Sequence, residues 1–204
     1  MNEGDKNFLL HDAGFIKTAC IILSKKDKKI KKLITMVGQP ISEARQKVGF
    51  ANFVDILISQ QISKSSATSI HKKFLSLVKN PTPENILKHS SAKLRAVGLS
   101  RQKIDRIQLL AQATLKGEFR PSEFKKLKTH EVISQIVAQK GFGDWSAETF
   151  VLFYLGRADI FPKGDLALQL AHQHLYHLDT PLVEKDLEKI SLLWQPYRSV
   201  VALL

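Results

Sequence analysis

Apolar residues recur three and four apart along nearly the whole chain, in short stretches bounded by Ser, Thr, Pro or Gly. That period places one face of a helix in a core, whereas a strand needs alternation at every second residue, which is hardly found. Phe8 to Leu23 and Ile30 to Val37 read as helices, followed by the strongly apolar "GFANFVDILISQQ" at 49–61. Ser63 is placed to cap "KSSATSIHKKFLSLVK"; Thr82, with Pro83 at the first helical position, opens a short helix; Ser91 opens the next and Gly98 ends it. Ser100 caps a helix that Gly117 terminates, and further helices are expected at 129–139, 144–155, 165–176 and 183–203. No repeat and no low-complexity segment interrupts the pattern. The expectation is an all-α chain of about ten short helices joined by short connections.

At 204 residues and 44% hydrophobic, the chain can bury one sizeable core or two small ones sharing a seam. Its formal charge of +12 is unevenly spread: residues 145–204 carry five Lys or Arg against seven Asp or Glu, and residues 1–144 carry 26 against 12. A basic excess of that kind favours a polyanion, of which nucleic acid is the commonest, although an anionic membrane surface would attract it too. The densest run, "KKDKKIKK" at 25–32, reads as a solvated helix face. Cys20 stands alone, which excludes an intramolecular disulfide and a four-thiolate cluster and suits a reducing compartment. No apolar run reaches the ~20 residues of a membrane span, and "MNEGDKNFLL" lacks the features of a signal peptide. A place inside the cell is expected, cytoplasmic and nucleoid-associated in a bacterium or nuclear in a eukaryote.

Two stretches carry chemistry. "KGFGDW" at 140–145 lies between two helical patterns and implies a tight hairpin. Gly141 and Gly143 permit positive φ and a close backbone approach, Phe142 can plug the core, and the amides that follow can meet an anion at a helix start; a plain helix terminator with an Asp144 cap fits the same residues. Further on, Pro162, Lys163 and Gly164 form a turn that sets Asp165 at the start of a helix, where a structural N-cap is the simplest role. "HQHLYH" supplies His172, His174 and His177, whose spacing does not converge on one metal. Ser59, Ser63, Ser65 and Ser66 have no paired base. Arg101 and Lys103 are expected to face phosphate or solvent.

Taken together, "KGFGDWSAETFVLFYLGRADIFPKGDLAL", "FVDILISQQISKSSATSI" and "WQPYRS" resemble the helix-hairpin-helix superfamily of DNA base-excision glycosylases, and within it the 3-methyladenine DNA glycosylase II group. The resemblance covers roughly residues 48–204; residues 1–47 match less clearly. It implies two helical lobes flanking a cleft, here residues 1–58 with 160–204 and residues 59–159, with the catalytic acid at their junction. It assigns phosphate contact to the hairpin at Gly141, Phe142 and Gly143, catalysis to Asp165, and the base pocket to Trp145 and Trp194, with Tyr154 either lining that pocket or packing in the core. The wedge that replaces a flipped nucleotide is expected from Gln60, Gln61 or Ile62, a polar Gln being a departure from relatives with an apolar residue there. Arg101 and Lys163 are assigned to DNA contact. No iron–sulfur cluster is expected; a sodium or potassium ion is expected, if any, at the backbone carbonyls of Val137, Gln139 and Gly141.

Breaking a C1′–N bond builds positive charge on the sugar, which a carboxylate opposes. An alkylated purine is itself cationic and departs neutral without a general acid, so aromatic faces suffice to hold it. The expected partner is double-stranded DNA with damaged bases, bound by a monomer, and no membrane. In the bifunctional branches a lysine directly follows the hairpin; Trp145 stands there instead, which implies a monofunctional enzyme. The alternative is a non-catalytic helix-hairpin-helix DNA-binding protein on the same scaffold.

Overall fold

Twelve α-helices form among the described residues of the computed structural model, which are Leu10, 12–40 and 48–204. Most begin where the local chemistry dictates. Asp12 accepts the amides of Gly14 and Phe15 and starts α1 (Ala13–Lys26); the expected start at Phe8 lies outside the described residues. Asp27 ends α1 and caps α2 (Lys28–Val37) by accepting the amides of Lys29 and Ile30. Next come α3 (Phe50–Ser59), α4 (Lys64–Val78) behind Ser63, α5 (Pro83–Leu87) behind Thr82, α6 (Ser91–Ala96) and α7 (Arg101–Leu115) behind Ser100. The cap of α6 is Ser90, one residue before the Ser91 expected from sequence, because it is Ser90 Oγ that reaches the amide of Lys93.

A 3₁₀ segment, Pro121–Lys126, leads to α8 (Thr129–Val137), and α9 (Asp144–Phe150) runs directly into a π-helical turn, Val151–Leu155, closed by Gly156 at φ +67°. Then come α10 (Leu166–Tyr176), α11 (Glu184–Ser191), a 3₁₀ turn at Leu192–Trp194 and α12 (Arg198–Leu203). The single helix expected over 183–203 is therefore broken; Pro196, which lacks an N–H and crowds the preceding turn, stands in the gap.

The helices form two compact units, Met1–Gln46 with Gly143–Leu204, and Lys47–Phe142. Both boundaries fall earlier in the chain than the expected 58/59 and 159/160. The reason on the α3 side is aromatic: Phe53 packs edge-on against Phe119, Phe124 and Phe142 at centroid distances of 4.9, 6.0 and 5.6 Å. Such pairs add about 0.5–1.5 kcal/mol each beyond burial, which ties α3 to the helices that follow it. On the other side, α9 and its π-helical turn belong with the C-terminal helices, where Phe150 and Val151 are fully buried.

Candidate active site

The α8–α9 connection is a tight turn in which the amide of Phe142 donates to Gln139 O at 3.2 Å. Gly141 adopts φ +98°, a backbone that favours glycine, and a Cβ there would sit 2.4 Å from Arg106 Cδ and force that side chain to shift. Phe142 is 6% exposed and plugs the aromatic cluster of its unit. Gly143 departs from the expectation of positive φ: at φ −116°, ψ −176° it is extended, and it is the N-cap of α9 in place of Asp144. No side chain caps that helix start, and the space where a Cβ of Gly143 would point is open within 4 Å.

The turn between α3 and α4 is held from several sides within its unit. Lys103 Nζ donates to the carbonyls of Ile58 and Gln60 at 2.6 and 2.8 Å, Gln60 Nε2 donates to Gly141 O at 3.0 Å, and Arg106 Nη1 donates to Gln60 Oε1 at 3.3 Å. Burial, and then the neighbouring Arg106, hold the Lys103 ammonium below its ordinary value. Of the three wedge candidates, Gln60 is thus engaged with the hairpin, whereas Gln61, at φ +56°, and Ile62 are exposed. Lys103 supports this turn rather than facing solvent, and Arg101 is exposed at the start of α7. Two of the three carbonyls assigned to a monovalent cation, those of Gln139 and Gly141, already accept N–H donors, and Arg106 brings a fixed positive charge against Gly141. A carbonyl oxygen that accepts one N–H keeps a second lone pair.

Asp165 is the N-cap of α10: its Oδ1 accepts the amides of Ala167 and Leu168 at 2.8 and 3.4 Å. Its Oδ2 accepts the indole Nε1–H of Trp145 at 2.8 Å. The preceding turn is fixed by Asp165 N donating to Pro162 O at 2.9 Å and Gln169 Nε2 donating to Lys163 O at 3.0 Å. Upstream, Arg198 grips Asp159 with Nε–Oδ1 at 2.7 Å and Nη2–Oδ2 at 3.1 Å, while the buried Ser199 Oγ accepts Ile160 N at 2.8 Å and lies 2.6 Å from Arg157 O. The "WQPYRS" stretch therefore secures the segment that delivers Asp165. Lys163 Nζ is paired with Glu188 Oε1 at 2.8 Å, and that hydrogen bond raises its ammonium above the ordinary value.

Trp145 is 40% exposed beside Asp165, but the two other aromatic assignments fall elsewhere. Trp194 is 1% exposed; its Nε1–H donates to Asp27 Oδ2 at 3.1 Å, and it lines, with Phe161, His172 and Tyr176, a cavity of about 330 Å³ whose walls include neither Trp145 nor Asp165. Tyr154 is buried in the π-helical turn and stacked on Phe150, 5.2 Å between centroids. Trp194 and Tyr154 are therefore both buried, a difference from Trp145 that residue type alone does not show.

His172 is buried and stacked on Tyr176 at 4.3 Å, whereas His174 and His177 are exposed. Sequence reasoning missed Asp27, which sits inside the run read as solvated. Tyr176 Oη and Trp194 Nε1 both donate to its Oδ2. Burial pushes that carboxyl up, but bonds from Tyr176, Trp194 and the amides of Ile30 and Lys29 outweigh it and hold the group below its ordinary value. The available signal was an acid alone among lysines, just ahead of a helical period. Glu148, on α9, was missed too: its Oε2 is buried without a hydrogen-bond partner.

An all-helical chain with a glycine hairpin and a carboxylate shared between a helix start and an indole defines a class, and the comparisons agree with it. Residues 54–196 match the family described as HhH-GPD superfamily base excision DNA repair protein. The chain belongs to that superfamily. It is similar to DNA-3-methyladenine glycosylase 1 of Schizosaccharomyces pombe, with 30% identity over 188 residues, 89% of this chain and 82% of the relative. Among solved structures, a 3-methyladenine DNA glycosylase of the same yeast in complex with abasic DNA superposes with a TM-score of 0.82 at 30% identity, covering 91% of this chain and 93% of that one. A DNA-3-methyladenine glycosidase from Bacillus halodurans gives 0.77 at 28% identity, covering 96% and 88%.

Proposed function

We propose that this enzyme, a glycosylase hydrolysing N-glycosidic bonds in base-excision repair, is monofunctional: it binds damaged double-stranded DNA as a monomer, releases alkylated purines of the 3-methyladenine and 7-methylguanine type, and leaves an intact abasic site. The observation that carries the reading is the Trp145–Asp165 hydrogen bond of 2.8 Å, which joins an exposed aromatic face to a carboxylate whose two oxygens are both held. The 30% identity to a 3-methyladenine glycosylase over most of both chains supports the substrate class.

The chemistry follows from these groups. As the C1′–N bond breaks, its electron pair leaves with the cationic base, which departs neutral, and positive charge grows on the sugar. A carboxylate about 4 Å away, at an effective dielectric near 20, opposes that charge by ~4 kcal/mol, on the order of a thousandfold in rate. Because its donors are already in place, Asp165 needs little reorganisation as the charge develops. Water adds at C1′, and Asp165 orients it or takes its proton. The open face of Trp145 offers cation–π attraction to the alkylated base, about 2 kcal/mol once desolvated. The Lys163 ammonium is protonated and spent on Glu188, so it is no nucleophile.

Release of free 3-methyladenine or 7-methylguanine from methylated duplex by the purified protein tests the reading. Binding of abasic duplex with no base released would instead make it a non-catalytic DNA-binding protein.

A further inference from the structure

Glu148, on the helix that carries Trp145, is a carboxyl that the reaction above leaves unused. It lies on α9 one turn beyond Trp145, so the two share a helix face. Its Oε2 is buried with no hydrogen-bond partner, a costly state for an ion. Burial pushes the carboxyl up to about 7, with Lys163 pulling it down and Asp144, Glu188 and Glu184 adding to the rise. These four are the charged groups that face it: Asp144 from its own helix, Lys163 from the turn before Asp165, and Glu184 and Glu188 from α11. Lys163 is shared between both sides. Its Nζ is bonded to Glu188, its carbonyl accepts Gln169 Nε2, and Asp165 stands two residues on. Between them, a Cβ on Gly164 would meet Glu184 Oε1 at 3.3 Å, which places the α11 carboxylate against this turn.

We propose that Glu148 is a positioning residue for Asp165 that acts through Lys163. The effect on rate rests on the glycosylase reading; the coupling itself does not. While Glu148 holds its proton, Lys163 stays with Glu188 and the turn presents Asp165 to the Trp145 indole. When the proton leaves to solvent, a buried carboxylate competes with Glu188 for the same ammonium. Lys163 moves toward the charge that water screens least, and the turn carrying Asp165 moves with it.

The test reads the indole N–H of Trp145 by ¹H–¹⁵N spectroscopy of the free protein from pH 5.5 to 9, in a chain with only two tryptophans to assign. The expected result is a Trp145 resonance that shifts with an inflection near pH 7, is flat in Glu148→Gln, and no longer follows that titration in Lys163→Met, where Glu148 still lies one turn from the indole. Across the same inflection, kcat for base release by the wild type falls about three- to tenfold relative to Glu148→Gln, the size expected of a small misplacement. A flat wild-type resonance, an inflection that persists in Lys163→Met, or a kcat ratio constant with pH would each overturn the proposal. If the resonance behaves as expected but no base is released at any pH, the positioning coupling stands and the glycosylase reading falls.

Discussion

The indole Nε1–H of Trp145 and Oδ2 of Asp165 are 2.8 Å apart, while Oδ1 of the same carboxylate receives the amides at the start of α10. Three donors therefore fix the plane of one carboxylate, and the exposed indole is fixed with it. A group held this way keeps its geometry when the substrate sugar becomes charged.

Asp165→Asn preserves a side-chain oxygen for the Ala167 amide but turns an NH₂ toward the indole donor. Asn is as good an N-cap as Asp, so α10 and the fold are retained within about 1 kcal/mol. Base release in single-turnover assays should fall on the order of 10²- to 10³-fold with DNA binding kept. A near wild-type rate would remove Asp165 from the mechanism.

Lys163 is engaged by Glu188 and stays protonated, so incubation with lesion-bearing duplex and borohydride should trap no covalent protein–DNA adduct. An adduct that disappears in Lys163→Ala would reassign this lysine as the nucleophile and make the enzyme bifunctional.

Gly141→Ala meets two obstacles, a backbone at φ +98° and Arg106 Cδ at 2.4 Å from the new methyl carbon. A cost of about 1–3 kcal/mol in urea unfolding is expected, together with weaker binding to abasic duplex, since Gln60 and Gly141 lose their register. Adding Arg106→Ala should recover only part of the loss, because the φ penalty remains; unchanged unfolding of the single variant would contradict the packing.

Asp27→Ala leaves the Tyr176 hydroxyl and the Trp194 indole N–H without their acceptor, at a cost of about 2–4 kcal/mol for two unpaired, part-buried donors. The folded-state value of Asp27 lies below its ordinary 3.8, so its contribution is complete above pH 3.8 and is lost as pH falls through the lower folded value. Urea midpoints should accordingly drop in acid more steeply for the wild type than for Asp27→Asn.

For Glu148 the sign is opposite. Its folded value is about 7 against an ordinary 4.5, so between those limits the folded state binds a proton that the unfolded state has lost. Its share of stability is present below pH 4.5 and fades as pH rises to about 7. Glu148→Gln lacks that decline, and thermal melts should show it more stable than the wild type at pH 8; equal melting temperatures there would refute the burial of this charge.

Much of this was legible in the sequence because it is local. The caps at Ser63, Thr82 and Ser100 each close a bond to an amide three residues on, and Asp165 does the same at α10, so residue type and spacing suffice. Gly141 and Phe142 were readable for the same reason, as one turn of chain. The helix-breaking Pro196 was equally visible, yet the apolar period on either side of it outweighed the break in reading 183–203 as one helix.

The sequence by itself determined an all-helical chain, its hairpin, its acid at a helix start and the resemblance to the superfamily that the family match bears out. Tertiary structure alone decided which of the aromatic residues stay exposed. Trp145 and Trp194 are the same side chain to any scale of hydrophobicity, but one donates to Asp165 with 40% of its surface open, and the other donates to Asp27 with 1% open. It also decided that Gln60 braces the hairpin, that Lys163 belongs to Glu188, and that Glu148 keeps a proton near neutrality. Each of these depends on which charges and donors are brought together across long separations in sequence, and on how much water burial removes, quantities that exist only once the chain has packed.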